Sequence, residues 1–234
     1  MSILPLITFD YTGLGLSTGA ATYNPLSLAN DAKELIEALQ PFDVVIGGWS
    51  IGGMAAQVML TMSGQRARHA VLLGTTPPGP AVKSAEQLFY DTAPKPSWSA
   101  ADELVLFFEP SHEPSRAAGT RSIERIAQRV NERSQPVPAA WAAEVLGSTP
   151  RTPPFPAEAV LNALKATRIP VLHIGGDHDI IFPVENWYAL NAQLPTLQLL
   201  TFPKAGHGPH HQHPQACAEY IATSLSAIVD AARG

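Results

Sequence analysis

Cysteine and long apolar runs are both scarce in this sequence. The 234-residue chain has one cysteine, Cys217, so it cannot form an internal disulfide, and nothing in it requires an oxidising compartment. No apolar run reaches the roughly 20 residues of a membrane-spanning helix. Residues 1–9 lack the positive segment and the small-residue cleavage site of a signal peptide. These absences predict a cytoplasmic protein that does not enter a membrane.

Positive charge is also in short supply. Lys and Arg number 15 against 20 Asp and Glu, which gives a net charge of -5, and no run of basic residues occurs. A chain of this kind has no surplus with which to neutralise phosphates, so nucleic acid is not expected as a partner. With 45% hydrophobic and 15% charged residues, the composition is typical of one globular domain with a modest insertion. It leaves homodimer formation open.

Short apolar runs alternate with longer amphipathic runs along most of the chain. Strands are predicted over residues 3–9, 43–46, 69–73, 169–174 and 197–202, and helices over residues 26–39, 51–62, 184–194 and 214–232. This alternation predicts an α/β fold in which a mostly parallel sheet carries helices on both faces.

The pattern changes between the second and third of these helices. Strand signals vanish from residues 77–156, and proline-rich joints bracket this stretch. Helices are predicted there over residues 100–108 and 115–133. We interpret residues 77–156 as an inserted helical cap, and residues 1–76 and 157–234 as the core.

A glycine-rich turn joins the strand at residues 43–46 to the following helix. The turn reads Gly48-Trp49-Ser50-Ile51-Gly52, which fits the G-x-S-x-G elbow that exposes a serine nucleophile between a strand and a helix. Such an elbow holds Ser50 in a strained conformation, so the positions two before and two after it are expected to require small residues for steric reasons. Gly48 and Gly52 occupy these positions. The Ile51 N–H would then donate one hydrogen bond to a developing oxyanion. On these five residues alone, an incidental serine in a glycine-rich turn fits equally well.

A serine nucleophile needs a base and a carboxylate, and both residue types follow in the chain. Asp177 and Asp179 lie in the loop after the predicted strand at 169–174, and His207 follows the last predicted strand. In a parallel sheet these loops meet at one edge, outside the carboxyl ends of the strands. The order serine, aspartate, histidine is the order of an α/β-hydrolase triad. At this point both acids are candidates.

With the loop D-Y-T-G-L-G-L-S at residues 10–17, four motifs resemble those of the α/β-hydrolase family. The resemblance is to its branch of capped esterases, enol-lactonases and cofactor-free haloperoxidases. It implies Ser50 as the nucleophile, His207 as the base and no cofactor. Because the family places Gly three residues before the acid and Pro four after it, Gly176 and Pro183 favour Asp179, and Asp177 stays the alternative.

The resemblance implies hydrolysis of a small carboxylic ester, thioester or lactone through an acyl-enzyme on Ser50. Epoxide hydrolases and haloalkane dehalogenases in the family carry Asp at this position, so they are disfavoured. Acyl transfer, C–C cleavage and perhydrolysis use the same triad and stay open, as does a non-catalytic protein that binds an ester-like small molecule.

Aromatic residues near the elbow and in the cap are candidates to line the substrate pocket. These are Trp49, Phe107 and Trp141, for which ordinary core packing is the alternative. Four histidines crowd residues 206–214, but no Asp, Glu or Cys lies among them, and we expect no metal site. His210, His211 and His213 are interpreted as surface or rim residues.

The family resemblance also points to a missing segment. Members have three further strands before the D-x-x-G-x-G-x-S loop, and an H-G motif after the third supplies the second oxyanion N–H. The resemblance therefore implies an N-terminally shortened core with one oxyanion donor. The absent strand would lie between residues 3–9 and the elbow strand, so we expect those two strands to pair directly or the gap to be filled.

Overall fold

A four-stranded parallel sheet forms the centre of the protein. The computed structural model describes residues 5–62, 66–131 and 157–231. Its strands are β1 (Val44–Trp49), β2 (Ala67–Leu73), β3 (Val171–Gly176) and β4 (Leu197–Phe202). The strands lie side by side in chain order, and each neighbouring pair is parallel. All four carboxyl ends therefore lie at one edge of the sheet, where the predicted site residues fall.

Helices connect the strands, as parallel pairing requires. They are α1 (Pro25–Leu39), α2 (Ile51–Met62), α3 (Gln87–Thr92), α4 (Ala100–Phe107), α5 (Glu113–Ala127), α6 (Ala157–Ala166), α7 (Glu185–Leu190), α8 (Pro209–Gln212) and α9 (Pro214–Ala231). A 3₁₀ turn, Asn191–Gln193, follows α7, so the single helix predicted over residues 184–194 is divided. The predicted α/β fold class is confirmed.

Two apolar layers cover the two faces of the sheet. On one face, Leu72 of β2 belongs to a buried cluster with Met59 of α2 and Val160 of α6. On the other face, Leu172 and Ile174 of β3 pack against Cys217 of α9. Burial on both faces explains why the strand sequences are continuous apolar runs rather than alternating ones.

Local sequence signals determine where helices α1 and α4 begin. Asn24 caps α1 by accepting a hydrogen bond from the Ser27 N–H, and Pro25 occupies the first turn, where its missing N–H is not needed. Ser99 and Asp102 form a reciprocal capping box at the start of α4. These caps set where α1 and α4 begin, and α4 carries the predicted pocket residue Phe107.

The insertion between β2 and α6 is helical where the structure describes it. Residues 77–131 contain α3, α4 and α5 and no strand. The two predicted cap helices are present, with α4 ending one residue earlier and α5 spanning Glu113–Ala127 rather than residues 115–133. The boundaries of a separate cap domain stay a prediction, because residues 132–156 lie outside the described part.

The strand predicted over residues 3–9 is wrong for the portion that the structure describes. Residues 5–9 form no strand, and Leu6 and Ile7 are 87% and 53% exposed. An apolar β-forming run becomes a strand only when a neighbouring edge offers it hydrogen bonds, and this run does not pair with β1. Among the described residues β1 has one neighbouring strand, β2, so the expected direct pairing with residues 3–9 is not observed for residues 5–9.

None of the described helices is both long and apolar enough to span a membrane.

Candidate active site

Ser50 occupies the turn between β1 and α2. Its φ of 55° lies in the left-handed region, which residues other than glycine rarely adopt. Two contacts hold this conformation: the Ser50 N–H donates to the Leu73 carbonyl at 3.0 Å, and the Thr75 hydroxyl donates to the Ser50 carbonyl at 2.8 Å. The strained backbone predicted for Ser50 is confirmed, and the end of β2 holds it in place. The chemical role of Ser50 stays a prediction.

The glycines around Ser50 differ in how much space they have. A Cβ at Gly48 would lie 2.1 Å from the Gly52 carbonyl oxygen, and one at Gly53 would lie 2.7 Å from atoms of the Thr75 side chain. At Gly52 the nearest neighbour would be the Tyr11 hydroxyl oxygen at 3.9 Å, which is ordinary van der Waals contact. A methyl group would therefore fit at Gly52, so this position can be small without being glycine. The tight positions are Gly48 and Gly53.

Ile51, the predicted oxyanion donor, is the first residue of α2. The N–H groups of the first helical turn have no acceptor within the helix, and the helix dipole favours negative charge there. The Ile51 N–H is therefore available to an oxygen bound beside Ser50. The residue itself is 36% exposed.

His207 and Asp179 form a buried pair. His207 Nδ1 lies 2.9 Å from Asp179 Oδ2, and both side chains are 1% exposed. The other carboxylate oxygen of Asp179, Oδ1, accepts hydrogen bonds from the N–H groups of Ile181 and Phe182 at 2.8 and 2.9 Å. Burying a carboxylate is costly unless its oxygens are hydrogen-bonded, and here each of the two oxygens has a donor.

The Asp177 side chain contacts His178 and not His207. Its carboxylate contacts the adjacent His178 ring at 2.6 Å, and its side chain is 40% exposed. The structure thus brings Asp179, and not Asp177, into contact with His207. The assignment of Asp179 as the acid of a triad now has geometric support.

Aromatic rings surround the His207 imidazole. Trp49 lies 5.5 Å from it between ring centroids, Phe107 lies 6.1 Å away in a stacked arrangement, and Phe182 lies 5.5 Å away edge-on. Two of the three predicted pocket residues are thus at the site, and Trp141 lies outside the described residues. Sequence reasoning missed Phe182, although its position three residues after Asp179 in the same loop could have indicated it.

Helix α4 packs directly against the His207 loop. The Gly208 N–H donates to the Phe107 carbonyl at 2.9 Å, and a Cβ at Gly206 would lie 2.7 Å from the Phe108 backbone. Because Gly206 has no side chain, the end of α4 can approach this closely. The helical insertion therefore contributes one wall of the site.

His210 and His211, which follow His207 in the chain, are half-buried. His210 packs edge-on against Trp49 at 5.0 Å, and its Nδ1 is buried with no hydrogen-bond partner. Burial, followed by the nearby His211 and His207, lowers the pKa of His210 to about 3, so it is neutral at pH 7. His211 contacts the Ser122 hydroxyl of α5 at 2.8 Å. His210 and His211 are both half-buried, which agrees with a position at the rim and not with a fully exposed one.

Within the ranges that the structure describes, no three His, Cys, Asp or Glu side chains converge as a metal site would require.

The D-x-x-G-x-G-x-S loop is held in shape by hydrogen bonds between its own residues. Asp10 accepts the Leu16 N–H at 3.0 Å through its carboxylate and the Ser17 hydroxyl at 2.6 Å through its carbonyl. Gly13 and Gly15 have φ values of 76° and 53°, and a Cβ at Gly15 would lie 2.1 Å from the Asp10 carboxylate. All four motif residues thus serve the turn itself, which accounts for their spacing.

Comparison with known proteins agrees with this geometry. A family profile described as "Alpha/beta hydrolase family" matches residues 4–220. The chain belongs to the α/β-hydrolase family, and it is an enzyme of the α/β-hydrolase type.

Individual relatives are distant. The chain is similar to a pimeloyl-[acyl-carrier protein] methyl ester esterase of Aromatoleum aromaticum, with 27% identity over 77% of this chain and 73% of the relative. Among solved structures, an α/β hydrolase fold protein from Chitinophaga pinensis superimposes with a TM-score of 0.69 and 27% identity, over 94% of this chain and 77% of the other. A thermophilic esterase from Thermogutta terrifontis has a TM-score of 0.67 at 21% identity, over 94% and 78% of the two chains, and at that identity supports the fold alone.

Proposed function

We propose that this protein is a serine hydrolase that cleaves a small carboxylic ester, thioester or lactone through an acyl-enzyme on Ser50. The observation that carries the proposal is the buried pair of His207 and Asp179, because the His207 ring lies against Trp49 of the elbow that presents Ser50. A strained serine, a histidine and a buried carboxylate are the three groups that activate a hydroxyl for attack on a carbonyl.

The chemistry divides into two steps. Ser50 Oγ attacks the substrate carbonyl carbon, His207 takes the hydroxyl proton at Nε2 and passes it to the leaving group, and an acyl-enzyme forms. Water then attacks the acyl carbon as His207 takes its proton, and His207 returns a proton to Ser50 Oγ as the bond between Oγ and the acyl carbon breaks and the acid leaves. The Nδ1–H of His207 donates to Asp179 Oδ2, which fixes the tautomer in which Nε2 is the base. The Ile51 N–H stabilises the oxyanion in both steps.

The aromatic wall favours a substrate with an apolar acyl or alcohol part. Trp49, Phe107 and Phe182 supply ring surface beside His207, and we include Trp141 of the insertion among the pocket residues. Because the curated relatives are named as methyl ester esterases, a methyl ester with a medium-length acyl chain is a suitable first substrate. The proposed partner is such a small molecule, and the chemistry requires no cofactor.

Turnover of p-nitrophenyl acetate and butyrate, and of dimethyl pimelate, tests the proposal. Ser50→Ala should lower kcat by on the order of a thousandfold or more. Ser111→Ala, which removes an exposed serine hydroxyl, should leave activity unchanged. A fluorophosphonate probe should label the wild type on Ser50 once per chain. Equal activity in the wild type and Ser50→Ala would overturn the proposal.

A further inference from the structure

The indole N–H of Trp49 is engaged within the protein. Trp49 Nε1 donates to the backbone carbonyl oxygen of His207 at 2.9 Å, although the two residues are 158 positions apart in the chain. From the sequence, Trp49 is predicted to be one of the residues that line the substrate pocket. A polar group that is already paired with the His207 loop is not available to a ligand.

Three chain segments meet at this contact. A Cβ at Gly74, which follows β2, would lie 2.4 Å from the His207 carbonyl oxygen and 3.3 Å from Trp49 Nε1. The residue before Gly74, Leu73, accepts the Ser50 N–H at 3.0 Å. The elbow is therefore hydrogen-bonded to the end of β2, the His207 carbonyl lies close to Gly74 at that same end, and the Trp49 N–H joins the elbow to the His207 loop.

His207 is thus held at two points. Its ring is bonded through Nδ1 to Asp179 Oδ2, and its backbone carbonyl is bonded to Trp49. The first contact sets the tautomer and rotation of the ring, while the second sets the position of the loop relative to the elbow. Trp49 is joined to Ser50 by one peptide bond, so a shift of the loop relative to Trp49 is also a shift relative to the nucleophile.

We infer that Trp49 is a positioning residue that fixes the distance between His207 and Ser50 through its indole N–H. The inference rests on the proposed function, because it assigns His207 and Ser50 to one proton transfer. A positioning role and a pocket role would change different kinetic constants. Loss of a pocket contact raises KM, whereas loss of alignment lowers kcat with KM nearly unchanged.

Trp49→Phe removes the N–H and keeps an aromatic ring. Trp98→Phe is the matched control, because Trp98 also packs against Phe107, at 5.8 Å, and also donates its indole N–H to a backbone carbonyl, that of Ala93 at 3.3 Å. Trp49→Phe is expected to lower kcat for p-nitrophenyl butyrate, and the rate of fluorophosphonate labelling, by roughly ten- to a hundredfold. Its KM should stay within about twofold, and Trp98→Phe should match the wild type in both constants.

A higher KM at unchanged kcat in Trp49→Phe would overturn the inference in favour of substrate binding. Equal losses in both variants would overturn it in favour of a general packing effect. If Trp49→Phe does not fold, exchange of the indole protons in wild-type protein decides. The signals of the other three tryptophans are assigned from Trp98→Phe, Trp141→Phe and Trp187→Phe, and the fourth signal is then that of Trp49. The Trp49 proton should exchange at least tenfold more slowly than that of Trp98, and equal rates would overturn the inference.

The inference and the proposed function fail in different ways. A wild type that neither turns over esters nor reacts with the probe contradicts the proposed function. The exchange rate of the Trp49 indole proton is independent of activity, and it still reports whether the Trp49 contact fastens the His207 loop.

Discussion

Gly48 and Gly52 approach each other so closely that a Cβ on Gly48 would lie 2.1 Å from the Gly52 carbonyl oxygen. The reverse does not hold, since a Cβ on Gly52 would have as its nearest neighbour the Tyr11 hydroxyl oxygen at 3.9 Å. The two glycines of the G-x-S-x-G motif are therefore not equivalent. One is required by backbone packing, and the other has room for a methyl group.

Gly48→Ala and Gly52→Ala should accordingly differ in stability. Gly48→Ala forces the backbone of α2 away from β1 and should lower the free energy of unfolding by about 3 kcal/mol. Gly52→Ala should be neutral or raise it by up to about 1 kcal/mol, because alanine favours the helix and restricts the unfolded chain. Urea denaturation of both variants measures this difference. Equal destabilisation would contradict the asymmetry.

Much of the fold follows from local patterns in the sequence. The bounds of α2 and β4 match those predicted from the sequence, because a strong apolar period and flanking turn residues mark both ends. The run at residues 3–9 has the same β-forming composition, yet residues 5–9 form no strand. A strand requires a partner, and composition does not reveal whether one is present.

The contacts within the site were harder to predict from local sequence patterns. The order of Ser50, Asp179 and His207 suggested which groups meet, but the choice of Asp179 depended on family spacing. The bond from Trp49 to the His207 carbonyl joins residues 158 positions apart, and no local pattern encodes it. Contacts of this kind depend on how β2 brings two loops together, which only the folded chain shows.

The buried histidines predict a loss of stability in acid. Burial lowers the pKa of His173 to about 3, and burial together with His211 and His207 lowers that of His210 to about 3. Below pH 6.5 the unfolded chain therefore binds protons that the folded chain does not. The free energy of unfolding should fall as the pH drops from about 6.5 towards 3, by up to about 1.4 kcal/mol per pH unit for each histidine.

His173→Phe and His210→Asn should each remove part of this dependence. Urea denaturation at pH 7 and pH 5 measures it, and His178→Asn, which changes a half-exposed histidine, is the control. The variants are compared by the difference between the two pH values, since the substitutions also alter packing. A wild-type slope retained in both His173→Phe and His210→Asn would refute the assignment.

Phe107 is expected to influence substrate choice. Its ring stacks over His207 at 6.1 Å and is partly exposed, so Phe107→Ala should open space above the base. We expect KM for p-nitrophenyl butyrate to rise about tenfold, which corresponds to about 1.4 kcal/mol of lost contact. Preference should move towards longer acyl chains. Phe42→Ala, which removes a ring that is 96% exposed, should leave the chain-length profile unchanged.

Asp179→Asn and Asp177→Asn separate the two acids of the loop. Asparagine at 179 keeps the size of the side chain but presents an amide to His207 Nδ1, which favours the wrong tautomer, with the proton on Nε2. The expected loss in kcat is on the order of ten-thousandfold, as for the equivalent change in serine proteases. Asp177 contacts His178 and is 40% exposed, so Asp177→Asn should retain activity within about threefold.

Steady-state kinetics with p-nitrophenyl butyrate distinguish Asp179→Asn from Asp177→Asn. A large loss of kcat confined to Asp177→Asn would reverse the assignment of the acid. Circular dichroism should show both variants folded, because asparagine at 179 can still accept the Ile181 and Phe182 N–H groups through its carbonyl oxygen.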